Sequence, residues 1–177
     1  IGIFSIISGY FYTAGPYPLG YNGWGDVFVF CFFGPIAVCG TYYLLSNLSI
    51  SHESIIAGII LGSLSTSLLC INNIRDTETD RIAGKRTLAV RIGPIFVKNI
   101  FIFLILISNV LNIYLLHHML IDSKVVLLNL LLFIPAIILC ISVYILNGKN
   151  LNYLLMGVSI FIMLYSIVFL VIILYAN

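Results

Sequence analysis

Charged side chains are nearly missing from this sequence, which holds six acidic and eight basic residues in 177. A soluble domain is about a quarter charged, so this scarcity, with a mean hydropathy of +1.17, marks an integral membrane protein whose first partner is the lipid bilayer. A net charge of only +2 offers nothing to nucleic acid, and no such partner is expected. Cysteine is sparse as well: Cys31, Cys39, Cys70 and Cys140 sit singly in apolar runs, without a Cys-x-x-Cys pair. That excludes a cysteine metal site, and the four read as small buried hydrophobes. His117 and His118 are adjacent, so on a helix they point about 100° apart and do not share a metal. No initiating Met is present, and the apolar residues 1–12 are too few to cross a bilayer, which takes about 20 helical residues. The chain therefore reads as a fragment that begins inside a helix.

What is present is hydrocarbon in measured lengths. Residues 27–46, 54–71, 95–116, 125–146 and 152–175 make five complete spans after the half-span 1–12, a single all-α transmembrane bundle over residues 1–177 with short connections. Phe33-Gly34-Pro35 is expected to kink the first complete span, neighbouring helices satisfying the freed backbone groups. Gly and Ser in 54–71 allow close helix contact, and Pro94 marks a fresh helix start. Residues 13–26 gather glycine, proline, tyrosine and Trp24, a run that cannot continue a helix. Two roles fit it: an aromatic belt at the membrane surface, or a wall over the acidic segment that places Asp26 near reacting groups.

The charge is concentrated in residues 72–87, where Arg75, Asp76, Glu78, Asp80, Arg81, Lys85 and Arg86 are half of all charged residues. On a helix, Asn72, Asp76 and Asp80 stand one turn apart on one face. An amide oxygen and two carboxylates in that stripe suit Mg²⁺, which takes oxygen ligands and commonly binds carboxylates together with substrate phosphates. Arg75, Arg81, Lys85 and Arg86 add the cations that a diphosphate needs, Arg gripping bidentately and Lys as a point charge. Glu78 falls on the opposite face, toward solvent. The blander alternative is a polar loop whose charges pair with one another in water. Six of the eight basic residues flank this segment and Lys149 shares its side, with only Lys124 opposite; positive residues collect on the cytoplasmic side, so the segment is expected to face the cytoplasm.

Asn72-Asn73-x-Arg75-Asp76-x-x-x-Asp80-x-x-x-Gly84-Lys85-x-Thr87-Leu88, followed by Arg91-x-Gly93, resembles the second aspartate-rich motif of UbiA-type membrane prenyltransferases. The upstream run Tyr12-Thr13-x-Gly15-Pro16-x-Pro18-Leu19-Gly20-Tyr21-x-Gly23-x-Gly25-Asp26, with Gly40-Thr41-Tyr42-Tyr43, is similar to the dihydroxynaphthoate-using branch of that family. The resemblance implies a nine-helix bundle in which two aspartate-rich motifs bind Mg²⁺ and a polyprenyl diphosphate. It also implies transfer of the prenyl group to 1,4-dihydroxy-2-naphthoate, with release of diphosphate and CO₂, toward menaquinone. A benzoate or homogentisate acceptor is the alternative within the family. The first aspartate-rich motif is absent, as if the chain began in the fourth helix, and the fragment alone is expected to be inactive.

In this scheme Asn72, Asp76 and Asp80 hold the metal, Asp76 and Asp80 being catalytic through it. Lys85, Arg75, Arg81 and Arg86 bind diphosphate. Tyr12, Tyr42 and Tyr43 supply electron-rich faces to an allylic cation, and Asp26 orients or deprotonates the aromatic acceptor, unless it is simply a helix N-cap. A transporter would carry ionisable residues inside its spans, which are nearly free of them. A CDP-alcohol phosphotransferase would show an Asp-Gly and Ala-Arg pair before the Asp-x-x-x-Asp, and none is present.

Overall fold

The computed structural model describes residues 2–14, 18–119, 121, 126–127 and 129–176, and every regular element among them is helical. Helix α1 (Gly2–Thr13) is followed by a 3₁₀ turn (Leu19–Tyr21). The first long span then runs through α2 (Gly25–Cys31), a π turn (Phe32–Ile36) and α3 (Ala37–Leu45). The expected kink is there: Gly34 has φ −110° and ψ −108°, with Pro35 next to it. Close packing explains the glycine, because a Cβ at Gly34 would lie 2.5 Å from the Gly58 carbonyl oxygen and 2.6 Å from Gly62 Cα. Small residues on the facing helix thus let two backbones touch, a common way for helices to associate where lipid removes the hydrophobic drive.

That facing helix, α4 (His52–Arg75), is the pillar of the bundle. Ser51 caps it by accepting from the Ser54 amide at 3.1 Å. Its Leu64, Cys70 and Ile71 are fully buried against Val97, Phe101 and Ile105 of α7 (Pro94–His118), and the same cluster takes in Val143 of α8 (Phe133–Ile145) and Leu151, Val158 and Phe161 of α9 (Leu151–Ala176). Buried hydroxyls do not break this interior, since Thr66 and Ser67 donate to the carbonyls of Gly62 and Leu64 at 2.8 and 2.7 Å. Outward faces are apolar, with Ile3, Leu45, Phe103, Ile138 and Met163 largely exposed, as a lipid-facing surface requires.

Between α4 and α7 the chain makes two short helices, α5 (Thr77–Ile82) and α6 (Leu88–Ile92), separated by turns in which Gly84 and Gly93 take φ of +72° and +90°. Those positive angles are the reason for glycine at both places. Among the described residues four helices are long and apolar enough to cross a membrane: Gly25–Leu45, His52–Arg75, Pro94–His118 and Gly148–Ile172. Of the fourth span expected from sequence, 126–127, 129 and Leu130–Ile145 are described and helical, with Pro135 in the opening turn of α8, while 125 and 128 lie outside the described residues. Residues 122–125, which include Lys124, and the Gly15-Pro16-Tyr17 part of the loop lie outside the described residues.

Candidate functional site

Asp76 closes α4 and opens α5, yet the one-turn spacing survives the junction. The Asp76 amide donates to the Asn72 carbonyl at 3.0 Å and the Asp80 amide to the Asp76 carbonyl at 2.8 Å. Asn72, Asp76 and Asp80 consequently form one stripe running off the end of the pillar helix. Arg75 grips the upper part as a fork: Nε and Nη2 donate to the two Asp76 oxygens at 2.7 Å each, and Nη2 also donates to Asn72 Oδ1 at 2.6 Å. Its Nη1 reaches Asn152 Oδ1 of α9 at 2.9 Å, fastening the stripe to the last span. These hydrogen bonds hold the Asp76 carboxyl below the ordinary carboxylate range, with nearby Lys85 adding to the effect.

Asp80 is buried to 8% exposure, and Lys85 Nζ stands 3.2 Å from its Oδ1. The turn at Gly84 makes this possible: it sends the Lys85 amide back to the Asp80 carbonyl at 2.9 Å. The upstream loop covers the same spot. Lys85 Nζ lies 4.8 Å from the centre of the Tyr21 ring, the Arg86 amide donates to the Tyr21 carbonyl at 2.7 Å, and a Cβ on Gly23 would fall 2.8 Å from Arg91 Cδ. The loop is thus a wall against the acidic segment, as one of the two sequence readings required.

Two of the four expected diphosphate cations point elsewhere. Arg81 pairs with Glu78 at 3.3 Å on the exposed side, and the Arg86 side chain is exposed, its backbone doing the packing. Tyr42 and Tyr43 lie near the end of α3, 16 and 17 residues beyond Asp26, so about 24 Å of helix separates them from the charged end. Tyr43 lines a cavity of about 620 Å³ with Ser5, Pro35 and Gly40, while Tyr12 lines another of about 510 Å³ with Gly9, Phe28 and Phe32. Of the three tyrosines, only Tyr12 is near the charged end.

Asp26 is no helix cap, since Trp24 holds that position; it sits buried in the first turn of α2. Its carboxylate accepts from Asn73 Nδ2 at 3.3 and 3.4 Å and from the Cys70 thiol at 3.9 Å. The Tyr12 phenol is close by, for a Cβ on the neighbouring Gly25 would stand 3.3 Å from its hydroxyl. Sequence reasoning quoted Asn73 only within the motif, read Cys70 as a buried hydrophobe and gave Asn152 no role. The available signal was Asn72-Asn73 itself: adjacent amides on a helix serve two faces about 100° apart, and here one serves the acidic stripe while the other serves Asp26.

The donor set fits a hard divalent ion: three oxygen-bearing side chains on one stripe, with Arg75 and Lys85 already balancing the negative charge that such an ion would balance. Among the described residues no three His, Cys, Asp or Glu side chains form a metal cage.

Residues 1–153 match the UbiA prenyltransferase family. Curated relatives named 1,4-dihydroxy-2-naphthoate octaprenyltransferase include one from Haemophilus influenzae, 48% identical over 93 residues, 52% of this chain and 30% of that protein. Another, from Mycobacterium tuberculosis, is 39% identical over 112 residues, 63% of this chain and 38% of that protein. A third, from Escherichia coli, is 42% identical over 95 residues, 54% of this chain and 30% of that protein. The matched part thus spans about a third of the length of these relatives. No solved structure matches the chain.

Proposed function

The chain belongs to the UbiA prenyltransferase family, and from that premise we propose that it forms part of an enzyme that moves a polyprenyl group from polyprenyl diphosphate onto 1,4-dihydroxy-2-naphthoate. The observation that carries this reading is the stripe Asn72, Asp76 and Asp80, held by Arg75 and Lys85 beneath the Tyr21 loop. The relatives' names supply the acceptor.

Breaking the allylic carbon–oxygen bond sends the bonding electrons out with diphosphate, so stabilising that departing charge is the main catalytic demand. Asn72, Asp76 and Asp80 would hold Mg²⁺, which when bound supplies Lewis acidity to the diphosphate oxygens. Arg75 then has to release part of its grip on Asp76 and Asn72, and its guanidinium becomes free to take phosphate oxygens in the same bidentate manner. Lys85, set between Asp80 and the Tyr21 ring, adds a fixed positive charge. Arg81 and Arg86, exposed as they stand, assist only by swinging inward.

The allylic cation next needs a dry pocket and a nucleophile. Tyr12 lines the apolar cavity beside α2 and presents its ring there, while Tyr42 and Tyr43 face the prenyl tail farther along the span. Asp26, steadied by Asn73, accepts the hydrogen bond of the naphthoate hydroxyl and raises the electron density of the ring. The carbon bearing the carboxylate forms the new bond to the prenyl carbon, and CO₂ leaves with its bonding electrons returned to the ring, giving a prenylated naphthoquinol. The site faces the cytoplasm, where both substrates are made available.

The family's first aspartate-rich motif has no counterpart in these 177 residues, so the assay joins this chain to a segment that bears one; the chain alone is expected to give no product. With farnesyl diphosphate, Mg²⁺ and 1,4-dihydroxy-2-naphthoate carrying a labelled carboxyl group, the joined protein is expected to release labelled CO₂ in step with diphosphate. Diphosphate release with 4-hydroxybenzoate, and none with the naphthoate, would transfer the assignment to the benzoate-using branch.

A further inference from the structure

The end of the bundle opposite the acidic segment carries a cluster that the prenyl-transfer reading does not use. Helices α4 and α7 run antiparallel, so the start of one meets the finish of the other about 35 Å from Asp76. There the rings of His52 and His118 have centres 5.2 Å apart, and Tyr114 stands 6.2 and 6.1 Å from them. Beside it, Glu53 Oε1 lies 3.1 Å from His118 Nδ1. The side chains of His118 and Glu53 are 44% and 37% exposed, and His52 is exposed as well, so the cluster is open to solutes.

We propose that His52 and His118, with Glu53 orienting His118, form a binding site for Zn²⁺ on the bundle end opposite the acidic stripe. Three features converge on that chemistry. With Zn–N bonds of about 2.0 Å, two imidazoles on one tetrahedral zinc hold their ring centres about 5 Å apart, the separation found here. A carboxylate 3.1 Å from Nδ1 favours the tautomer that keeps its proton there, which would leave the Nε2 lone pair of His118 for a metal, the arrangement that supports metal-bound histidine in general. Finally, nitrogen ligands suit zinc and not magnesium, so the two ends of α4 would take different ions. Two imidazoles leave the remaining positions of a tetrahedral ion to water. The adjacent pair His117-His118 gave no such site in the sequence; the partner of His118 comes from 66 positions upstream.

Calorimetric titration of the whole 177-residue chain in detergent with Zn²⁺ tests this. One saturable equivalent is expected, weakened at least tenfold by either His52→Gln or His118→Gln. Glu53→Gln is expected to weaken it about tenfold or more, as loss of an orienting partner does. His117→Gln and Asp76→Asn should bind as the parent does, which separates this site from the acidic stripe. Co²⁺ in place of Zn²⁺ should give the intense visible bands of a four-coordinate ion, lost in His118→Gln. Zinc binding unchanged in both His52→Gln and His118→Gln, or lost in Asp76→Asn instead, would overturn the site, as would no saturable binding at all.

Discussion

Asp76 and Asp26 are both carboxylates at the same end of the pillar helix, and their surroundings differ in kind. Asp76 is partly open, gripped on both oxygens by a guanidinium, and tied through Arg75 to α9. Asp26 is buried, and its hydrogen-bond partners are an amide and a thiol, with no Lys or Arg in ion-pair contact among the described residues. A buried charge is costly unless paired, so the two arrangements suit different work. The first resembles a holder for charge that arrives with a substrate. The second keeps a single acceptor group in a dry place, where a hydroxyl could meet it.

The widest gap between the two should open on Asp80→Ala or Asp76→Ala in a protein that also carries the first aspartate-rich motif. Prenyl transfer is expected to fall about a hundredfold or more, with Mg²⁺ dependence lost and membrane insertion intact; near-normal turnover in either variant would remove the metal role. Asp26→Asn should lower kcat by about a hundredfold, the range of a lost general base, while leaving the KM for the prenyl diphosphate unchanged. An equal rise in that KM would merge the two clusters into one site. A third change tests the frame rather than the chemistry. Gly34→Ala sets a methyl 2.5 Å from the Gly58 carbonyl oxygen, and is expected to cost about 1–3 kcal/mol of stability, read as a lower Tm with both carboxylates still in place.

The smallest effect concerns pH. Because Arg75 holds the Asp76 carboxyl below its ordinary value of 3.8, the pair contributes stability that is present above that value and is lost as pH falls through the lower folded-state value. The contribution is small for so exposed a pair. The Tm difference between the parent and Asp76→Asn should accordingly be steady at neutral pH and close only on the acid side of the usual carboxylate range.

Helices and their order were legible because hydropathy and length leave few choices in a bilayer. The kink at Gly34 and the solvent-facing Glu78 also followed from local residue types, whereas the choice between belt and wall for the Tyr21 loop needed its contacts with Lys85 and Arg86. What sequence could not supply were contacts made across the bundle. Arg81 pairs with Glu78 one turn away, a local contact, whereas the reach of Arg75 to Asn152 of α9 crosses 77 positions and has no local signal. Asn73 illustrates the same limit, since its partner Asp26 lies 47 positions away. His52 and His118 meet only because α4 and α7 are antiparallel and of nearly equal length. Tyr42 and Tyr43 were grouped with Tyr12 by residue type, and the rise of a helix sets them at the other end of the span.

The distinction between the stripe and the buried carboxylate is tested most directly by Mn²⁺ paramagnetic resonance, with the ion standing in for Mg²⁺ and inorganic diphosphate present. The parent chain and Asp26→Asn are expected to bind Mn²⁺ alike, and Asp76→Ala and Asp80→Ala to leave it free in solution. Equal Mn²⁺ binding by all four proteins would contradict the assignment of the stripe.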